Sequence, residues 1–228
     1  MQKQISTKKQ THTIIIVILI VILSLLFGYI SNDFFIGGVL LTTSLLGSYL
    51  AGIGKRTGYI AGLINVLLIS YVSYKNNLFG SFAVNAFIFA PLQVYGFISW
   101  GKHLKKDSKV KVRKFTFKKS LLVISSCVIS SALFGYFLTR IPGQQLAFMD
   151  SAINCLEICA LILLNLRYKE NWLLWILSGS MAVVVWIVAL INGGDNAFMR
   201  LIAAISALVM DTYGAIKWYS KTTTKNHN

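Results

Sequence analysis

Tyr95-Gly96-Phe97-Ile98-Ser99-Trp100 and Tyr213-Gly214-Ala215-Ile216-Lys217-Trp218 share the pattern Tyr-Gly-x-Ile-x-Trp, 118 residues apart. Each closes a long apolar stretch and is followed by a polar, basic one. A motif that returns at the same place in two hydrophobic segments reads as an internal repeat. Whether the repeat is structural depends on how the segments between its copies are arranged.

The composition sets the frame. The chain has 228 residues, of which 56% are hydrophobic and 13% charged, and its mean hydropathy is +0.67. A soluble domain carries about 25% charged residues. Uncharged apolar runs recur along the whole length, and only two prolines and little period-2 alternation are present, which argues against a β-barrel. The fold class is therefore an all-α polytopic membrane protein with no soluble domain left over.

Taken in order, Met1 to Thr13 reads as a polar basic tail, and Ile14 to Ser31 as a retained first helix too long for a signal-peptide core. Further helices are expected over about 34–51, 58–74, 80–100, 120–138, 149–166, 171–191 and 198–219, eight in all. Gly37, Gly38, Ser44, Gly47 and Ser48 give the second helix a small-residue surface for close packing. Gly101 to Lys119 is the one long polar loop, with nine Lys or Arg and a single acid, Asp107. Short turns are expected at Lys75-Asn76-Asn77, around Gln144 and Gln145, and at Asn192 to Asn196.

Eight spans leave both termini on one side. The net charge of +15 would suggest nucleic acid in a soluble protein, but here it reports orientation. With the termini in the cytoplasm, 19 of the 22 Lys and Arg fall on the inner side, and only Lys75, Arg140 and Arg200 lie outside. Both copies of the repeated motif then end helices running outside to inside. The repeat is parallel: helices two to four match six to eight, and the fifth restores orientation. The corresponding segments are 1–33 (tail and extra helix), 34–101 (first three-helix repeat), 102–148 (basic loop and linker helix), 149–219 (second repeat) and 220–228 (tail). Parallel repeats place a transporter's substrate site between the halves near mid-membrane. The alignment pairs Gln93 with Asp211, a polar group at matching depth in each half.

Several more polar residues fall at membrane depth. Asn65, Asn85, Gln93 and Asn154 each serve as interhelical glue or as cavity lining. Pro91, beside them, is tolerated at this depth mainly where the freed backbone faces protein or a cavity. Glu157 and Asp211 are acids within apolar helices, where a carboxylate is paired, protonated or in a wet cavity. Asp150 sits at a helix start. Trp172 and Trp175, in Asn171-Trp172-Leu173-Leu174-Trp175, share a helix face and read either as an interfacial aromatic belt or as a stacking platform for a flat ligand. Indole faces also attract a cationic ring.

No catalytic constellation, metal-ligand cluster or phosphate-cradling glycine loop is visible, so no cofactor is expected. Cys127, Cys155 and Cys159 lie in apolar runs and read as packing residues, and His12, His103 and His227 lie in tails or a loop.

The ordered set Gly62-Leu63-Ile64-Asn65, Tyr74-Lys75-Asn76-Asn77-Leu78-Phe79-Gly80, Asn85, Gln93-Val94-Tyr95-Gly96 with Trp100, Asp150 and Glu170-Asn171-Trp172-Leu173-Leu174-Trp175 resembles the PnuC-type nicotinamide riboside transporters of bacteria. The resemblance covers about 58–218. It implies a fold similar to the SWEET sugar transporters, two parallel three-helix bundles joined by a linker helix, in the bacterial inner membrane. It implies facilitated diffusion of nicotinamide riboside, trapped by cytoplasmic phosphorylation, with no enzymatic activity. The expected substrate-binding residues are Trp172, Trp175, Asn85, Gln93, Asn154, Asn65, Glu157 and Asp211, with Trp175, a turn deeper than Trp172, foremost of the pair. The partners are the small-molecule substrate and the lipid bilayer, without nucleic acid; a homo-oligomer is allowed. The chain departs from the family pattern at Gly179, where the family carries Asn or Asp, and at Leu161 in place of a Gln. Relatives carry thiamine, riboflavin or deoxynucleosides, so another vitamin or nucleoside is the alternative cargo. A membrane-embedded enzyme using Glu157 and Asp211 is the third reading.

Overall fold

The computed structural model describes residues 2–31, 36–75, 79–104, 111–140, 146–193 and 197–223. They are helical apart from short turns and one extended passage at 111–116. Helix α1 spans Gln2–Ile30, α2 Ile36–Gly52 and α3 Gly58–Lys75. Then α4 (Phe79–Val84), a π-helical turn (Asn85–Phe89) and α5 (Ala90–Gly101) form one unbroken rod. It is followed by α6 (Phe117–Leu138), α7 (Ala147–Asn165), α8 (Asn171–Ile191) and α9 (Ala197–Thr223). Among the described residues six helices are long and apolar enough to cross a membrane. Of the eight expected spans, α2 and α3 are the short ones: α2 has 17 residues and the apolar part of α3 is Gly58–Val72. The turns expected at Asn76-Asn77, Gln144-Gln145 and 194–196, and positions 105–110 of the basic loop, lie outside the described residues.

Two local features depart from the sequence expectation. The polar N-terminal stretch is helical from Gln2 onward, continuous with the apolar part of α1. No Gly or Pro occurs between Gln2 and Phe27, so nothing stops a helix nucleated in the apolar run from propagating backwards. The expected fourth helix is not uniform. Pro91 has no N–H to offer the carbonyl one turn back and crowds it. The chain responds by widening just before the proline, where the N–H of Ala90 bonds to the carbonyl of Asn85 five residues earlier.

Small residues set the helix contacts. Gly38 of α2 lies against Ser24 and Gly28 of α1, where an added Cβ would come within 3.6 Å of the α1 backbone. Gly58 of α3 meets α2 so closely that a Cβ would stand 2.8 Å from the Gly47 carbonyl. Lipid tails are as apolar as leucine, so such close backbone approach is what holds membrane helices together. Helix α6 lies on α7, with Ser151 donating to the Ser131 carbonyl at 2.7 Å and Cys127 beside Cys159. Its outward face, including Leu122, Val128 and Phe137, is exposed, as for a helix that meets lipid. Helix α3 packs on α2 and α5, and α8 packs on α7 and α9. The two groups join through α2 against α9 and α5 against α7.

The basic segments gather at one end. Arg56 of the α2–α3 turn stacks on Phe97 near the end of α5, 4.8 Å from its ring centre. The 111–116 passage is stitched to the α7–α8 turn: Arg113 donates its N–H to the Arg167 carbonyl at 2.8 Å and accepts from the Lys169 N–H at 3.0 Å. The Phe115 N–H donates to the Glu170 carboxylate at 3.1 Å. Lys169 in turn sits over the Tyr219 ring of α9. Segments far apart in sequence but alike in charge are thus on one face of the molecule.

Candidate functional site

A cavity of about 470 Å3 runs between the two groups of helices. Its wall comes from α2, α3, the π turn, α5, α7, α8 and α9. At the basic end it is bounded by Tyr59 and Trp172, and it reaches Trp186 and the exposed Arg200 toward the opposite end.

Seven of the eight residues expected from sequence stand on this wall: Asn65, Asn85, Gln93, Glu157, Trp172, Trp175 and Asp211. Their positions have local causes. Asn65 is held by two bonds from its amide, to the Leu40 carbonyl at 2.8 Å and the Thr43 hydroxyl at 3.0 Å, so it ties α3 to α2 as well as facing the cavity. Asn85 opens the π turn, whose extra residue re-aims the side chains that follow, and Phe89 at its other end is buried on the same wall. Gln93 fills the space left by Gly62: a Cβ there would fall 2.6 Å from the Gln93 side chain. Glu157 of α7 has Asp211 and Asp150 as acidic neighbours, and Asp211 of α9 has the Ser48 hydroxyl beside it.

Asn154 stands apart. Its amide donates to the Asp150 carbonyl at 2.9 Å and the Asp150 carboxylate at 3.1 Å, and it is not on the cavity wall. Gly179 and Leu161, the two positions expected to depart from the resembled pattern, both line the cavity.

The basic end of the cavity is floored by four aromatic rings, all at most 3% exposed. Tyr59 meets Trp100 edge-on at 4.9 Å, Trp100 lies 5.8 Å from Trp218, and Trp218 meets Trp172 edge-on at 5.8 Å. Glycine makes the fit possible. A Cβ on Gly96 would fall 2.2 Å from the Tyr59 ring, and one on Gly214 would fall 2.5 Å from the Trp172 ring. Just behind the floor, Arg167 adopts a left-handed backbone (φ 67°) in the α7–α8 turn. Partial burial, with Arg113 nearby, holds its guanidinium below the usual arginine range.

Tyr59, Phe89, Trp186 and Arg200 are wall residues that sequence reasoning did not select. Only Tyr59 carried a usable signal. It opens α3 as Trp172 opens α8, and each is seated on the glycine of a Tyr-Gly-x-Ile-x-Trp copy.

Several apolar helices long enough to span a bilayer, around a central cavity with amides, indoles and two carboxylates on its wall, define a multi-pass membrane transporter of small molecules. The sequence model of the nicotinamide mononucleotide transporter family matches residues 34–220, and the chain belongs to that family. It is 31% identical over 191 residues to the nicotinamide riboside transporter PnuC of Neisseria mucosa, covering 82% of this chain and 72% of that protein. Against the Escherichia coli nicotinamide riboside transporter PnuC it is 30% identical over 162 residues, covering 60% and 67%. A crystal structure of the vitamin B3 transporter PnuC superposes with a TM-score of 0.76 over 93% of this chain and 91% of that one, at 28% identity.

Proposed function

We propose that the protein carries nicotinamide riboside across the bacterial inner membrane by facilitated diffusion, and that phosphorylation in the cytoplasm traps the cargo. The reading rests on the relatives named for that substrate and, on this chain, on one observation. Among the described residues the cavity wall holds two carboxylates, Glu157 and Asp211, and one Lys or Arg, Arg200, at the exposed end. That suits a ring with a fixed positive charge. A phosphate monoester would bring roughly −2 charges beside two carboxylates, so the unphosphorylated riboside is favoured over the mononucleotide.

In this reading the pyridinium stacks near Trp175 and Trp172, Glu157 and Asp211 balance its charge, and Asn85, Gln93 and Asn65 bind the ribose hydroxyls or the carboxamide. Asn154 supports Asp150 rather than the cargo. The protein catalyses no reaction on what it carries. Its frame is SWEET-like: residues 34–101 and 149–219 are parallel three-helix repeats, 102–148 supplies the basic loop and linker α6, 1–33 adds the extra helix, and both termini, including 220–228, are cytoplasmic. The shared motif and the matching contacts of α2 with α9 and α5 with α7 support this arrangement.

The test is a binding and uptake panel. Purified protein should be stabilised against melting by nicotinamide riboside, and not by nicotinamide mononucleotide, thiamine, riboflavin or deoxyuridine. Liposomes holding the protein should equilibrate nicotinamide riboside without a gradient. Stabilisation by thiamine alone would move the assignment to another vitamin. Labelling of a cysteine placed in 101–119 from the outside would overturn the orientation.

A further inference from the structure

The floor of the cavity carries buried polar atoms that make no well-formed hydrogen bond among the described residues. Tyr59 Oη, Trp172 Nε1 and Asn165 Oδ1 each have no hydrogen-bond partner among the described residues, although all three side chains are at most 3% exposed. Leaving such groups dry and unpaired is costly, and native structures avoid it unless the group has a use. Here they cluster. The Tyr59 ring and Asn165 Oδ1 both press on Gly96, and the Trp172 ring presses on Gly214. Trp172 is linked to Tyr59 through the rings of Trp218 and Trp100. Tyr59 and Trp172 also belong to the cavity wall.

The atoms that hold the floor shut are, by contrast, fully engaged. Trp100 Nε1 donates to the Leu164 carbonyl at 3.0 Å and Trp218 Nε1 to the Ala51 carbonyl at 3.2 Å. Each bond runs from the third helix of one group to the first helix of the other. The two acceptors are 113 residues apart, as are Tyr59 and Trp172. The floor is therefore a pseudo-symmetric pair of latches, each with an unsatisfied polar tip beside it.

We propose that Tyr59 Oη, Trp172 Nε1 and Asn165 Oδ1 form a second cargo subsite, reached only when the two tryptophan latches part. It offers an N–H donor, a carbonyl acceptor and a hydroxyl that does either, framed by aromatic faces. That set matches a hydroxylated sugar joined to a flat ring. In the closed floor the three atoms have no well-formed hydrogen bond among the described residues. In the open floor the departing cargo satisfies them, so the same atoms weaken the closed state and hold the cargo in passage.

This inference rests on the transport reading, and Tyr59→Phe tests it in liposomes and detergent. The substitution removes only the hydroxyl. Melting should stay near the wild-type temperature, because the hydroxyl makes no well-formed hydrogen bond and only lies beside the Trp100 indole. Equilibrium affinity for nicotinamide riboside should stay within about twofold, while uptake slows by up to about tenfold, the worth of one hydrogen bond in the crossing state. A lower melting temperature would mean that the hydroxyl is structural. An affinity that falls in step with uptake would place Tyr59 in the main cavity site, and unchanged uptake would leave the subsite without a role. Each of these overturns the subsite alone. Wild-type protein that takes up no nicotinamide riboside would overturn the transport reading and the subsite with it.

Discussion

The indole rings of Trp100 and Trp218 lie 5.8 Å apart, and each donates its N–H to a carbonyl at the end of a helix from the other group. The acceptors, Leu164 and Ala51, are in the last turns of α7 and α2 and also receive turn N–H groups, from Arg167 and Gly54, each at 2.9 Å, so each indole is a further donor to a carbonyl with two lone pairs. Each tryptophan thus ties a helix C-terminus of the other group to its own helix, from a fully buried place.

Trp100→Phe and Trp218→Phe should each cost about 0.5–1.5 kcal/mol, the net worth of one hydrogen bond whose acceptor keeps its turn donor. The rings touch, so the double variant should lose less or more than the sum. Melting of the purified variants, taken as a double-mutant cycle, measures the coupling. Independent effects would show that the latches open separately.

Gly96→Ala and Gly179→Ala should behave in opposite ways. At Gly96 the new methyl meets the Tyr59 ring at 2.2 Å and Asn165 Oδ1 at 2.3 Å, and the resulting overpacking should cost about 1–3 kcal/mol. At Gly179 the nearest atom is the Leu208 side chain at 3.5 Å, an ordinary contact, so the helix should be neutral or gain up to about 1 kcal/mol. Thermal melts of the two variants side by side check both.

Asp211→Asn and Glu157→Gln should weaken a cationic cargo by on the order of 1 kcal/mol or more each, and should leave a neutral analogue of similar shape unaffected. Titration calorimetry with nicotinamide riboside and an uncharged riboside separates the cases. Equal losses for both ligands would assign the carboxylates to structure.

Trp175→Ala should lower cargo affinity by about 0.5–2 kcal/mol while leaving the melting temperature of the free protein nearly unchanged, because Trp175 is half-buried on the cavity wall whereas Trp172 is sealed in the floor. Binding and melting measured on the same preparation distinguish a cargo contact from a packing residue.

Much of this molecule is legible one segment at a time. Apolar runs such as Ile14–Ile30 and the Trp172–Ile191 stretch identify membrane helices because hydropathy is a local property. The clustering of Lys55, Arg56, Arg113, Arg167 and Lys169 at one end follows from charge alone, since bare charge avoids the bilayer. The Tyr-Gly-x-Ile-x-Trp repeat marks the two helices whose tryptophans prove reciprocal. The tertiary structure decided which side chains face inward. Asn65, Asn85 and Asn154 look alike in sequence, yet one ties two helices on the wall, one opens a π turn before Pro91, and one turns away to Asp150. Tyr59 became visible only when its ring was found on Gly96. The reason is physical. In a soluble helix the apolar face marks the interior, but in a membrane the lipid side and the protein side are equally apolar. Helix rotation is then set by small-residue contacts and cross-chain hydrogen bonds between segments some hundred residues apart, which no local pattern records.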